Sequence, residues 1–288
     1  MSLAALVAAV VVVAIPGVAQ AGQWDAPQSL PTGSQGGTTV IDDNGSVTTV
    51  WSQEVATNGC NPYRDYAGCE VRVSRLGGDQ WSAPTTLSTA DAYSSGATVV
   101  VSADGTVTAL WLQTDGTQLG KSVWARRFSH GFWSPATQLS TGTIKVYYTK
   151  LAVNSDGVVL AVWSDDTTQS TQTARFEHGA WTTAETMPTT STTPPRTSSY
   201  IYAIVASPDR SFTVFTRQTD YQSIGAARLA GGVWADQGLI TPTRKSAYGA
   251  AAVVDAKGTV TVAWDTVTAG FAGHYVVQSA RRVGGVWD

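Results

Sequence analysis

Eleven tryptophans stand in this 288-residue chain, and ten of them fall into two registers. In the first, Trp24, Trp81, Trp133, Trp181, Trp234 and Trp287 are separated by 57, 52, 48, 53 and 53 residues. Six residues after each of the first five comes an aliphatic side chain: Leu30, Leu87, Leu139, Met187 and Ile240. Six residues before each of the last five comes an arginine: Arg75, Arg127, Arg175, Arg228 and Arg281. In the second register Trp51, Trp111, Trp163 and Trp264 each lie seven residues after a turn residue that precedes glycine: Asn44, Asp104, Asp156 and Lys257. The fourth repeat departs from it, with Asp209-Arg210 at the turn and Thr216 in the tryptophan place. A fixed period of this length marks a repeat architecture in which each unit is one supersecondary element.

Each unit reads as four strands. In the second repeat, 97–101 is a short apolar strand and 106–111 alternates, as a half-buried strand does. Between them Asp104-Gly105 reads as a two-residue hairpin turn with positive φ at both positions. A third strand covers 122–128, His130-Gly131 turns the chain, and 132–139 forms a fourth. No window carries the i, i+3, i+4, i+7 spacing of a helix, and β-branched residues dominate. Four short antiparallel strands cannot bury both faces alone. Packing neighbouring sheets face to face and arranging them radially solves this. The expected fold is therefore all-β, a β-propeller of about five four-stranded antiparallel blades, with a sandwich or solenoid as the alternative. Blade number stays open between two readings. Residues 24–30 could complete the last blade of a five-bladed ring, or the chain could be part of a six- to eight-bladed propeller.

The stretches Gln80-Trp81-Ser82-Ala83-Pro84-Thr85-Thr86-Leu87-Ser88 and Asp104 to Trp111 resemble the repeats of secreted bacterial propeller proteins, especially those of actinobacteria. The resemblance covers nearly all of the chain after the N-terminal segment and implies architecture, not activity. A fainter likeness is to sialidase-type propellers, whose Asp-box reads S-x-D-x-G-x-x-W. Here Ser102-Ala103-Asp104-Gly105 lacks the residue between Asp and Gly, and Trp111 falls late. Sialidase activity is not carried over.

Residues 1–21 read as a signal peptide: an apolar run from Leu3 to Ile15, a break at Pro16-Gly17, and Ala19-Gln20-Ala21 as the cleavage pattern. The n-region Met1-Ser2 lacks a basic residue, and an uncleaved anchor is the alternative. The expectation is a secreted, extracellular, monomeric protein whose propeller spans 22–288 and which holds no stable membrane span after cleavage. Cys60 and Cys69 flank eight turn-forming residues and read as a disulfide in that compartment. Net charge is −3 with no basic patch, which argues against nucleic acid as a partner. No cofactor is expected. Calcium at the acidic loops is conceivable, but no D-x-[DN]-x-[DN]-G loop supports it.

Binding is most often carried by loops on a rigid scaffold. Tyrosines precede the first strand of four repeats: Tyr93, Tyr147 with Tyr148, Tyr200, and Tyr248. Acids follow the second strand of every repeat: Glu54, Asp115, Asp165 with Asp166, Asp220, and Asp265. Both sets fall at one end of a propeller. Aromatic rings beside carboxylates suit a neutral, hydroxyl-rich ligand, since carboxylates accept hydroxyl protons. The register tryptophans and arginines read as structure. The acids could act in pairs as in glycoside hydrolysis, but one per repeat looks like repetition, and no G-x-S-x-G, H-E-x-x-H or P-loop occurs. The expected function is a non-catalytic binding propeller for a glycan or other extracellular polymer. The alternatives are a protein-interaction scaffold with an extracellular protein partner and, after it, a glycoside hydrolase.

Overall fold

The computed structural model describes residues 30–31, 33–55, 68–77, 80–89, 93–114, 120–140, 144–146, 148–188, 200–218, 223–241, 247–267 and 275–288, without the side chains of Tyr248 and Tyr275. The 1–21 segment, Trp24 and Cys60 lie outside them. The described residues of Thr32–Asp288 form one unit, built only of strands and connecting turns.

Blade 1 holds β1 (Ser34–Ile41), β2 (Val47–Glu54), β3 (Cys69–Gly77), β4 (Gln80–Trp81) and β5 (Thr85–Thr86). Blade 2 holds β6 (Ser94–Val101), β7 (Val107–Thr114), β8 (Lys121–Ser129), β9 (Phe132–Trp133) and β10 (Thr137–Gln138). Blade 3 holds β11 (Thr149–Val153), β12 (Val159–Asp165), β13 (Ser170–Glu177), β14 (Ala180–Trp181) and β15 (Glu185–Thr186). Blade 4 holds β16 (Ile201–Ala206), β17 (Phe212–Arg217), β18 (Ile224–Ala230) and β19 (Val233–Leu239). Blade 5 holds β20 (Ala247–Val254), β21 (Val260–Val267), β22 (Tyr275–Val283) and β23 (Val286–Trp287). Every blade is an antiparallel meander in chain order, and the first strands of successive blades lie against one another. This is propeller architecture.

The outer strand differs from the expectation. In blades 1 to 3 it is two short pairs instead of one continuous strand. The W-[ST]…L-[ST] motif explains the break. The amide of each register arginine donates to the hydroxyl that follows the tryptophan: Arg75 to Ser82 Oγ at 3.0 Å, Arg127 to Ser134 Oγ at 3.1 Å, Arg175 to Thr182 Oγ1 at 3.0 Å. A second hydroxyl caps the third strand further along: Val71 N–H to Ser88 Oγ at 3.0 Å, Val123 N–H to Ser140 Oγ at 3.0 Å, Ile224 N–H to Thr241 Oγ1 at 2.9 Å. Side chains replace the ladder where the outer backbone turns away, so donors stay satisfied.

The first-to-second-strand turn also differs. Gly45, Gly105, Gly157 and Gly258 have positive φ, and the residues before them do not. The loop holds three residues, 103–105: Gly105 N–H donates to Ser102 C=O at 2.9 Å, and Ser102 N–H to Thr106 C=O at 2.9 Å. A longer loop of this kind needs only one left-handed position. Positive φ at both turn residues occurs instead between third and fourth strands, at His130-Gly131 and His178-Gly179. That assigns both histidines a backbone role.

Two alternating faces of each blade feed two interfaces. The second-register tryptophans and the residues two and four before them face the preceding blade; the residues between face the following one. Blades 1 and 2 meet through Val50, Val71, Val73 and Leu87 against Val99, Ala109 and Trp111. Blades 2 and 3 meet through Leu110, Leu112 and Val123 against Leu151, Ala161 and Trp163. Equivalent clusters join blades 3 and 4 and blades 4 and 5. No cluster of described residues joins blade 5 to blade 1. The described first-register tryptophans, Trp81 to Trp287, sit at the rim of these interfaces, with Trp81 still 37% exposed, while Trp51 and Trp111 are wholly buried. Arginines bridge the rims: the Arg75 guanidinium lies 3.9 Å from the Phe128 ring centroid and that of Arg127 lies 3.6 Å from Phe176, each in the next blade.

Candidate functional site

The connections that enter first strands and leave second strands share one end of the blades. Their geometry repeats: Thr114 N–H donates to Tyr93 C=O at 2.9 Å, Ser164 to Tyr148 at 3.0 Å, and Arg217 to Tyr200 at 3.0 Å. This fixes each tyrosine backbone beside the end of its neighbouring strand. It does not make the side chains equivalent. Tyr93 is buried against Cys69 and offers no ring to solvent. Tyr147, Asp115 and Asp220 lie outside the described residues. Tyr248 pairs with Asp265 through the backbone. Asp265 is exposed, beside a recess of about 310 Å³ lined by Gly249, Trp264 and Val277.

Tyr200 does find partners, and Asp166 lies within electrostatic reach of one of them, Tyr148. The ring centroids of Tyr148 and Tyr200 are 4.0 Å apart and tilted by 42°. Tyr202 continues the run, 5.1 Å from Tyr200, and its hydroxyl donates to Ala247 C=O of blade 5 at 3.1 Å. The Arg217 guanidinium sits 5.0 Å from the Tyr200 centroid. Two blades therefore contribute half-buried rings to one aromatic pair with a cation beside it, and the buried Tyr202 ties it to blade 5. Asp165 is not part of it. Its carboxylate is buried and caps its own turn, accepting from Thr167 N–H at 2.9 Å and Thr168 Oγ1 at 2.8 Å. Asp166 stays half-exposed, its backbone held by Lys145 C=O at 2.8 Å.

Electrostatics ties the group together. Burial, then the charge and hydrogen bond of Tyr200, push the Tyr148 hydroxyl above the usual phenol range; Arg217 pulls it down and Asp166 pushes it further up. With the folded-state value raised, the neutral hydroxyl's contribution to stability is complete below the unfolded phenol's value of about 10. It is lost as pH rises through the folded-state value. In a phenolate absorbance titration, Tyr148 should ionise later than an ordinary tyrosine, so Tyr148→Phe should remove a late step. A late step that survives the substitution would show that the coupling is absent.

A larger recess than that beside Asp265 lies elsewhere. It measures about 570 Å³ and sits at the rim between blades 1 and 2, lined by Arg75, Trp81, Phe128 and Trp133. These are the residues that staple the two blades, and Arg75 is already engaged with Phe128 and, at 3.8 Å, with Asp42. Sequence reasoning missed Arg217 and Tyr202. Both lie in the fourth repeat, the one that breaks the tryptophan pattern. Among the described residues no three of His, Cys, Asp and Glu are arranged to hold a metal.

No protein-family model matches the sequence, and no curated protein matches it. Solved structures match its fold at low identity. A Dyadobacter fermentans protein of unknown function is 12% identical with a TM-score of 0.53, covering 81% of this chain and 75% of its own. Trypanosoma rangeli sialidase in complex with sialic acid is 9% identical with a TM-score of 0.54, covering 88% of this chain and 45% of its own. The polysaccharide lyase Uly1 is 9% identical with a TM-score of 0.52, covering 85% and 57%. The chain thus spans about half the length of the two glycan-acting neighbours. Likeness at this identity shows the sialidase-type propeller fold.

Proposed function

We propose that this protein is a secreted, non-catalytic propeller that binds a glycan or a similar hydroxyl-rich extracellular polymer at the Tyr148–Tyr200 pair, which the buried Tyr202 supports from the blade 4–5 core. The observation that carries the reading is the pair itself: tyrosines from two blades, with centroids 4.0 Å apart, flanked by a guanidinium. Such rings offer an apolar face for a sugar ring and a phenolic hydroxyl at its edge. Arg217 donates, and Asp166 accepts, hydroxyl hydrogen bonds or charge. The glycan-acting neighbours support the same ligand class in a coarse sense. Tyr93, buried with Cys69, has no part in it.

The test is a glycan-array screen followed by calorimetry on the best ligand. Tyr200→Ala and Arg217→Ala should each weaken binding about tenfold or more, the equivalent of about 1.4 kcal/mol, with thermal stability little changed by Arg217→Ala. Binding that survives both substitutions would remove the pair as the site. Release of new reducing ends from the bound ligand, abolished by Asp166→Asn, would replace the binding reading with hydrolysis.

A further inference from the structure

The seam between blades 3 and 4 holds a carboxylate between an arginine and an indole. Glu185, on the outer strand of blade 3, accepts Trp234 Nε1 of blade 4 at 3.1 Å. It also lies 3.8 Å from Nε of Arg175, the register arginine of its own blade. The same positions recur one seam on. Arg228 stands where Arg175 stands, and Trp287 where Trp234 stands. Gly238 stands where Glu185 stands, four residues after the register tryptophan. The ladders agree: Glu185 precedes the partner of Gln172, and Gly238 precedes the partner of Gly225. Glycine supplies no carboxylate to the seam between blades 4 and 5, and the room for one is open. A Cβ at Gly238 would meet nothing within 4 Å among the described residues. The carboxylate of Asp236, two residues before, accepts the Gly238 amide at 2.9 Å.

The donors that a carboxylate would satisfy are unmet at this seam. Trp287 packs edge-on against Phe215 of blade 4, with ring centroids 5.8 Å apart. Its Nε1 is buried and finds no acceptor among the described residues. Beside it the repeat makes a second departure. Phe128 and Phe176 each pair with the rim tryptophan of their own blade and take the preceding blade's register arginine on their rings. Arg282 holds that place in blade 5, paired with Trp287. Two earlier seams thus set an arginine over a ring, and this one brings two guanidiniums to one place. Arg282 Nε is also buried without an acceptor among the described residues. Burial, then the charge of Arg228, hold the Arg282 guanidinium below its ordinary value, and Asp209 pulls it back up. Asp209 is bonded to Arg228. One carboxylate against two guanidiniums leaves a single positive charge in excess, and an unpaired buried charge or an unmet donor is destabilising.

We propose that the rim between blades 4 and 5 binds the carboxylate of an external ligand in the place that Glu185 fills at the preceding seam, with Arg282 and Arg228 as its cations and Trp287 Nε1 as a third donor. The planar fork of a guanidinium matches the two oxygens of a carboxylate. One negative charge balances the excess, whereas a dianion would overshoot it. Two sources share this chemistry: a small free carboxylic acid and the acid group of a sugar acid. Asp209 lies in the turn from β16 to β17 and Arg228 near the end of β18. The site is therefore at the end of the blades opposite Tyr148 and Tyr200, and it does not rest on glycan binding there.

The test is a proton–nitrogen NMR spectrum of the indole groups, titrated with acetate, glucuronate, sulfate or glucose at constant ionic strength. The peak that Trp287→Phe removes is the reporter. It should shift saturably with acetate or glucuronate and stay in place with glucose. Acetate saturating first assigns the site to small free acids, and glucuronate saturating first assigns it to sugar acids. Arg282→Phe restores the ring of blades 2 and 3, and Arg282→Leu copies Leu229 of blade 4. Each should weaken acid binding at least about tenfold, as expected when a charged hydrogen-bond donor is lost. A reporter that neither acid moves overturns the proposal. So does an unchanged midpoint in both Arg282 variants, or sulfate binding more tightly than either acid, which would make the seam a general anion site.

Discussion

Trp111→Ala should destabilise the protein by about 3–5 kcal/mol, the cost of emptying a fully packed large aromatic site. Trp81→Ala should cost about 1 kcal/mol or less, because that ring is 37% exposed. Trp111 contributes to the blade 1–2 cluster from the blade 2 side, so its loss opens a cavity that Val50, Val71 and Ala109 cannot collapse into without moving two sheets. A second contrast separates packing from hydrogen bonding. Trp51 Nε1 donates to Gln53 Oε1 at 3.1 Å, whereas the buried Trp163 Nε1 finds no acceptor among the described residues. Trp→Phe should therefore cost less at 163 than at 51, since it removes an unmet donor at one and breaks a buried hydrogen bond at the other. Urea unfolding of the four variants decides it. Equal losses at Trp81 and Trp111 would mean that the two registers do not divide into rim and core.

That division was only half legible in the sequence. Two tryptophan registers and one arginine register announced a four-stranded repeat, because each position answers to a recurring need at every interface. Which register is core depends on the packing of adjacent blades, and no single repeat contains that information. The turn at Asp104-Gly105 misled for a similar reason. The dipeptide favours a two-residue hairpin, but Ser102 closes a three-residue loop that needs a left-handed backbone only at Gly105. Periodicity worked against the site as well. Tyrosines recurring before first strands looked like a ring, yet Tyr93 is packed on Cys69 while Tyr148 and Tyr200 stack on each other. The useful signal was the exception. The fourth repeat alone puts Thr216 where the others have Trp51, Trp111, Trp163 and Trp264, and the arginine that follows it, Arg217, is the cation beside Tyr200. In a repeat protein, residues that recur serve the scaffold, and a lone departure is where a site is best sought.

Cys60→Ser should lower stability by about 2.7 kcal/mol, the loop-closure value for a ring of about ten residues. At roughly 2–4 °C per kcal/mol for a domain of this size, the melting temperature should fall by about 5–11 °C. The proposal is that Cys60 and Cys69 are bonded, and the described neck of their loop fits it. Cys69 opens β3 opposite Glu54, and Val55 N–H donates to Gly68 C=O at 2.8 Å. The two strands are thus already held together where the loop begins, so a bond across it adds little native strain and acts mainly on the unfolded chain. Cys60→Ser is the cleaner variant. Cys69 is 0% exposed and packed on Tyr93, so a serine hydroxyl there would add a desolvation cost unrelated to the ring. Because Tyr93 takes no part in the Tyr148–Tyr200 pair, Cys60→Ser should leave affinity at Tyr200 and Arg217 intact while stability falls. Two thiols titrating in the native, unreduced protein would show that the bond is absent. A fall in glycan affinity that tracks the loss of stability would show that blade 1 and the pair act as one unit.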